Sequence, residues 1–330
     1  MAVPKILVTN KIRQCGIDFL QEHGFELLWS KSNSVEDVRK IACACDGIIA
    51  RMTPVKQTLI DAAPNLKIIG MHGVGLDGID IPHATQKGIA VTHTPAANCI
   101  SVAEHAMGAI LNLSKKTIPA DKALREEHRF QDRDLFIGHD IQGKILGIVG
   151  LGRIGRQLAQ MAGLGFGMKV IAYDPYVPEK EMSQVGAGVE KKSTLEEIMA
   201  VSDFISFHVQ LTPETTGMVN YDLLKLMKPT AYFINEMRGA LVVESDLCRA
   251  LREGIIAGAA VDVFAQEPPP DDCELLKAPN LIATPHIAAS TYESLDRIIL
   301  ALAEEFNQFF NGGKMQFLVN PDYKEHIENR

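Results

Sequence analysis

Residues 150–155 read Gly-Leu-Gly-Arg-Ile-Gly, directly after the apolar run ILGIVG and at the start of the helical segment RIGRQLAQMAGL. Glycines at this spacing have separate uses. Gly150 permits a tight turn, Gly152 lets backbone approach a pyrophosphate, and Gly155 allows the helix to pack closely on the strand. Arg153 and Ile154 open a helix whose first N–H groups lack intrahelical partners and carry partial positive charge, which suits phosphate. The following apolar run, KVIAYD, ends at Asp174, about 20 residues past the glycines. A carboxylate there accepts hydrogen bonds from ribose hydroxyls and repels a 2′-phosphate, so the pattern predicts NAD rather than NADP. A glycine-rich turn and an Asp-Pro-Tyr turn are the plainer readings of the two features, and their spacing favours the dinucleotide.

Such a site needs a parallel sheet beneath it. Short apolar runs lie at 145–150, 169–174, 204–209, 231–235, 257–264 and 281–286, separated by helix-length spacers, which is the six-strand count of a complete dinucleotide-binding sheet. An earlier series at 6–10, 25–29, 47–51, 66–71 and 89–94 makes the first hundred residues a second open α/β unit. Between the two series runs SVAEHAMGAILNLSKK, with Ser101 as expected N-cap and Glu104 as its capping-box partner. Thr291 to Phe310 carries Leu295, Ile298, Ile299, Leu302 and Phe306 at helical spacing and is expected to return to the first unit.

Composition bounds the function. The chain has 330 residues, 46% hydrophobic and 22% charged, which fits about two globular domains. A net charge of -8 disfavours whole-chain attraction to nucleic acid or an anionic membrane. No apolar stretch approaches a membrane span, and MAVPKILVTN lacks the apolar core of a signal peptide. Six scattered cysteines (Cys15, Cys43, Cys45, Cys99, Cys248, Cys273) show no CxxC pair and no metal-ligand spacing, so no metal is expected and a reducing, cytoplasmic setting is.

Seven ordered blocks then resemble one family, the NAD(P)-dependent D-isomer-specific 2-hydroxyacid dehydrogenases, which includes phosphoglycerate dehydrogenases and glyoxylate/hydroxypyruvate reductases. They are GVGLDGID (73–80), NCISVAEHA (98–106), GKILGIVGLGRIGRQLA (143–159), HVQLTPETTGM (208–218), NEMRGALV (235–242), AAVDVFAQEP (259–268) and TPHIAAST (284–291). The resemblance implies catalytic roles for Arg238, Glu267 and His286. A planar guanidinium suits a 2-oxo acid, binding its carboxylate while polarising its ketone. Histidine titrates near neutrality and can supply the proton that hydride addition requires, with Glu267 orienting it. Taken singly, each has a plainer reading: a surface charge, a loop glutamate, a structural histidine. Their order at the ends of successive strands favours the site.

The resemblance also implies cofactor contacts at Arg153, Ile154, Val209, the 236–238 backbone including Glu236 and Met237, Asp262 at the carboxamide, and the segment from His286 to Ala289. Gly73, Val74 and Gly75 would cup the substrate carboxylate, with Arg51 as a further anion contact and His286 and Arg238 completing the set. Met237 stands where the family has a small residue, and Met71 where phosphoglycerate-specific members offer a second arginine. His72 borders the substrate loop, His208 ends a buried strand, and His105 on a helical face is expected to be packed. With the sequence ending soon after the terminal helix, the regulatory domain that some phosphoglycerate enzymes append is not expected.

The expected architecture is α/β: a Rossmann-type NAD domain (101–290) inserted into a flavodoxin-like substrate domain (1–100 and 291–330), both doubly wound, with substrate in the cleft. A homodimer through roughly residues 105–142 is expected. The expected activity is hydride transfer between NAD and a small D-2-hydroxy acid or 2-oxo acid of the 3-phosphoglycerate, glyoxylate or hydroxypyruvate class. The alternative is an NAD(H)-sensing binding protein of the same fold, resembling the family's corepressors.

Overall fold

The computed structural model describes residues 3–32 and 34–329. The chain forms two compact units, Met1–Asn98 together with Ser290–Arg330, and Cys99–Ala289.

The first unit holds five parallel strands, β1 (Lys5–Val8), β2 (Glu26–Trp29), β3 (Gly47–Ala50), β4 (Ile68–Met71) and β5 (Ala90–Thr92), in the order β2-β1-β3-β4-β5. This is the flavodoxin-like order. Leu7, Ile48, Ile69 and Val91 turn to one face and Ile6, Val8, Ile49, Ile68 and Ala90 to the other. Both faces are covered, which is why the inner strands are apolar throughout. The helix Tyr292–Phe310 closes the second face with Ile299, Leu302 and Phe306. Phe306 approaches Gly47 and Gly70 so closely that a Cβ on either glycine would collide with its ring. Thr291 caps this helix, its hydroxyl accepting from the Ser294 N–H at 3.1 Å.

The second unit holds seven parallel strands: β6 (Ile145–Val149), β7 (Lys169–Tyr173), β8 (Glu190–Lys191), β9 (Phe204–Phe207), β10 (Tyr232–Asn235), β11 (Gly258–Val261) and β12 (Leu281–Ala283). Their order is β12-β11-β10-β9-β6-β7-β8. The sequence predicts six of them. β8 is two residues of an edge strand, Glu190 and Lys191, too short and too polar to register as an apolar run. A second correction concerns the helix Cys99–Lys115, which starts two residues before Ser101, so that Ser101 is a buried interior residue and not an N-cap. Because all seven strands are parallel, the residues that follow β6, β7, β9, β10, β11 and β12 emerge along one edge of the sheet. The crossover reverses at β6, between β7 and β9, which places the reversal directly below Gly150.

Candidate active site

The dinucleotide fingerprint sits at that reversal. Gly150 has φ of 93°, a left-handed conformation that side chains avoid, and an added Cβ would lie 2.8 Å from the carbonyl carbon of His208. Gly155 packs against the Gly150 carbonyl. Gly152 is the N-cap of the helix Arg153–Gln160, with no side-chain cap and no heavy atom within 4 Å of its Cβ position. An uncapped helix start with open space before it fits a pyrophosphate. Arg153 is exposed on the first turn and Ile154 half-buried, while Val209 lies beside the Gly150 turn.

Asp174 follows β7 as expected, and its hydrogen bonds belong to both readings of it. Oδ1 accepts from the N–H groups of Tyr176 (2.9 Å) and Val177 (3.2 Å), forming the turn, and Oδ2 accepts from Leu151 N–H at 2.9 Å. The carboxylate is therefore held beside the glycine loop, and its residue is only partly buried.

At the other end of the sheet edge, the structure brings Glu267 and His286 together, with Oε2 2.7 Å from Nδ1. Oε1 of Glu267 accepts from Phe264 N–H at 3.0 Å, which fixes the carboxylate. His286 has φ of 53°, a conformation that a β-carbon disfavours. What holds it there is Asp262. This residue is completely buried at the end of β11; Oδ1 accepts from the Thr284 hydroxyl (2.6 Å) and Ile287 N–H (2.8 Å), and Oδ2 from Ala288 N–H (2.7 Å). The Asp262 carbonyl accepts from His286 N–H at 2.8 Å. Sequence reading assigns Asp262 to the cofactor carboxamide. Its observed partners are the protein's own 284–288 segment, including the neighbours of Ala289.

Arg238 follows β10 on a turn built by Asn235, whose Nδ2 donates to the Arg238 carbonyl (2.9 Å) while Oδ1 accepts from Met237 N–H (3.1 Å). The Arg238 guanidinium donates to the Met237 carbonyl at 2.6 Å. Gly239 presses against the backbone of Phe264 and Ala265 with no room for a Cβ, so the arginine turn and the loop leading to Glu267 are in van der Waals contact. Met237 lies partly buried against the apolar cluster of β9–β11.

Three features escape sequence reading. Gly239 carries no signal beyond its glycine. The bonding of Asp262 to residues more than twenty positions later cannot be read from local pattern. His105, expected merely to pack, joins Nδ1 to Glu236 Oε1 at 2.6 Å. An acid at the end of the apolar strand YFIN was the available hint. His208 is buried beside the Gly150 loop, with Ser206 Oγ 2.9 Å from Nε2, and burial pushes its pKa down to about 4.

In the first unit, Arg51 follows β3 and donates to the Lys11 carbonyl at 3.2 Å, and burial lowers the pKa of its guanidinium. Gly73 has φ of 144°; its carbonyl accepts from Thr94 N–H (3.0 Å), and the Val74 carbonyl lies 3.0 Å from His93 Nδ1, so both carbonyls turn toward the end of β5. Met71 is buried within β4. His72 is buried, and burial, aided by the charge of Arg51, lowers its pKa to about 4.

Comparison with known proteins adds four findings. Residues 107–288 match the family model described as D-isomer specific 2-hydroxyacid dehydrogenase, NAD binding domain. The chain is 37% identical over 333 residues to a glyoxylate reductase of Korarchaeum cryptofilum, covering 97% of this chain and 96% of the relative. It is 38% identical over 317 residues to D-3-phosphoglycerate dehydrogenase of Archaeoglobus fulgidus, covering 96% of this chain but only 59% of that longer relative. Among solved structures, D-lactate dehydrogenase of Aquifex aeolicus complexed with NAD and lactic acid superposes with a TM-score of 0.83 at 30% identity, covering 96% of this chain and 99% of the other.

Proposed function

The chain belongs to the D-isomer specific 2-hydroxyacid dehydrogenase family, and from that premise we propose that it is an NAD-dependent oxidoreductase acting on a small 2-oxo acid or D-2-hydroxy acid. The observation that carries the reading is the 2.7 Å Glu267–His286 pair on a loop pressed against Gly239, the neighbour of Arg238.

Each proposed role is supported by the chemistry of its residue type together with its place at the strand ends. With Nδ1 of His286 engaged by Glu267, Nε2 is the nitrogen left to hold a proton, give it to the substrate oxygen in reduction and take it back in oxidation. Glu267 keeps the ring oriented. The Arg238 guanidinium binds the substrate carboxylate and polarises the adjoining ketone. When bound, NAD supplies or accepts the hydride. Gly150, Gly152, Arg153, Ile154 and Gly155 would hold its pyrophosphate, and Asp174 its adenosine ribose. For the first unit taken by itself, we assign Arg51 and the Gly73–Val74–Gly75 backbone to anion binding, with Val74 and Gly75 as the donors, since the Gly73 N–H donates to the Met71 carbonyl at 2.9 Å.

The substrate proposed is a short 2-oxo acid such as glyoxylate or hydroxypyruvate in preference to 3-phosphoglycerate, because Met71 offers an apolar, buried side chain and no second cation. NADH oxidation across a panel of 2-oxo acids tests this. Vigorous turnover of a short 2-oxo acid is expected; tight NADH binding without turnover of any would favour a sensor instead.

We also propose a homodimer through residues 105–142. There Ile118, Leu124, Phe130, Leu135 and Ile137 are between 48% and 69% exposed, and a partner would cover them. No helix among the described residues is long and apolar enough to cross a membrane. The six cysteines are all free, which supports a reducing, cytoplasmic location.

A further inference from the structure

Glu236 is a carboxylate where a carboxylate is costly. Its side chain is 1% exposed, immediately after the buried strand β10 and two residues before Arg238. Oε1 meets His105 Nδ1 at 2.6 Å, and Oε2 is buried with no hydrogen-bond partner. A buried carboxylate with half its capacity unmet is destabilising compared with an apolar residue of similar size. Something about the pair offsets that cost.

Its position suggests what. The two side-chain bonds of Asn235 shape the 235–238 turn internally, and its carbonyl accepts from Asp262 N–H at 3.1 Å, which ties the start of the turn to the end of β11. None of these reaches the helix Cys99–Lys115. The Glu236–His105 bond spans 131 residues and joins the turn to the helix Cys99–Lys115, which packs on β10 and β11. Burial pushes the Glu236 carboxyl up while His105 opposes it, and Glu236 pushes the His105 imidazole up. Asp262 is the other charged group acting on both. At 2.6 Å the Nδ1–Oε1 contact is as short as charge-assisted hydrogen bonds are.

We infer that Glu236 and His105 are positioning residues for Arg238, a cross-link between helix and turn that fixes the direction in which the guanidinium is presented to the substrate carboxylate. This rests on the reading of Arg238 as the carboxylate-binding group. Neither residue need touch substrate for the role.

The test compares wild type with Glu236→Leu, Glu236→Gln, His105→Leu, the double variant His105→Leu/Glu236→Leu, and Arg238→Gln. Two quantities are read: oxalate affinity of the NADH complex by calorimetry, and the separate values of KM and kcat for the best 2-oxo acid. Glu236→Leu and His105→Leu should each weaken oxalate binding and raise KM about tenfold, the scale of one charge-assisted hydrogen bond, while kcat changes much less. Glu236→Gln, whose amide oxygen can still accept from Nδ1–H, should recover most of that loss. The double variant should be no worse than the worse single, as expected for partners in one contact. If Glu236→Leu does not fold, His105→Leu and Glu236→Gln carry the comparison.

Wild-type oxalate affinity and KM in both leucine variants, or additive losses in the double variant, would overturn the positioning role. Arg238→Gln separates the premise from the inference. If it binds oxalate as wild type does, Arg238 is not the carboxylate-binding group and the reading beneath the proposal fails; if it loses binding while the leucine variants do not, only the proposal fails.

Discussion

His286 Nδ1 lies 2.7 Å from Glu267 Oε2, and His286 makes that contact from a left-handed backbone, φ 53°. The strain is sustained by the buried Asp262, which gathers Thr284, Ile287 and Ala288 on either side of the histidine. The backbone that presents the imidazole to Glu267 is thus held by a residue whose side chain does not touch the ring.

If His286 moves the proton, His286→Gln should lower turnover by about 10²–10⁴-fold. NADH binding, measured by fluorescence titration, should stay close to wild type. Unchanged turnover would remove His286 from the mechanism.

Replacing Asp262 with alanine should cost both stability and turnover. Three donors lose an acceptor that is itself fully buried, so a loss of about 2–4 kcal/mol is expected from urea unfolding. A variant that keeps full stability would show that the 284–288 segment is held by something else.

Gly239→Ala places a methyl group into the backbone of Phe264 and Ala265. The two loops must separate, and a destabilisation of about 1–3 kcal/mol is expected. Turnover should fall with it, since Arg238 and Glu267 lie on the loops that part. Thermal unfolding and steady-state kinetics on the same preparation check both.

His208 and His72 are held neutral, with pKa values of about 4 against an ordinary 6.5. The folded protein therefore binds fewer protons than the unfolded chain between these values, and stability rises with pH across that window. Lowering the pH from 6.5 to 4 should remove about 3 kcal/mol for each of these buried histidines, with little further loss from them below 4. Unfolding curves against pH for wild type and His208→Gln test it: the glutamine variant should lose the His208 share of the acid slope.

A dimer through 105–142 should appear in sedimentation velocity at micromolar concentration. Charge placed on its apolar surface, as in Phe130→Asp with Ile137→Asp, should shift the protein to monomer. A wild-type monomer would end the proposal.

Much of this was legible because apolar runs announce parallel strands and glycine spacing announces the turn at 150–155. All five strands of the first unit and six of the second lie within the runs that predict them, apart from Lys5, which opens β1 one residue early. β8 escaped because Glu190 and Lys191 lie at a sheet edge where nothing requires them to be apolar. The Ser101 cap failed for a different reason: Cys99 and Ile100 already have helical backbone, and a serine followed by Glu104 looks the same inside a helix as before one. Within the site, residue types could be matched to chemistry, but the partners of Asp262 and Glu236 are set by tertiary contact and leave no periodic trace.

The seating of Phe306 and Leu302 over β3 and β4 has a bearing on the order of events at the ribosome. The unit Cys99–Ala289 is one uninterrupted stretch and can complete its core as soon as that stretch has emerged. The five-stranded unit, begun first, waits with one sheet face only partly covered, by the helix Gln14–Glu22, until the last helix is made. Translation therefore finishes the domains in the reverse of the order in which it starts them, and exposed β3 and β4 are the surfaces a chaperone would meet in the interval.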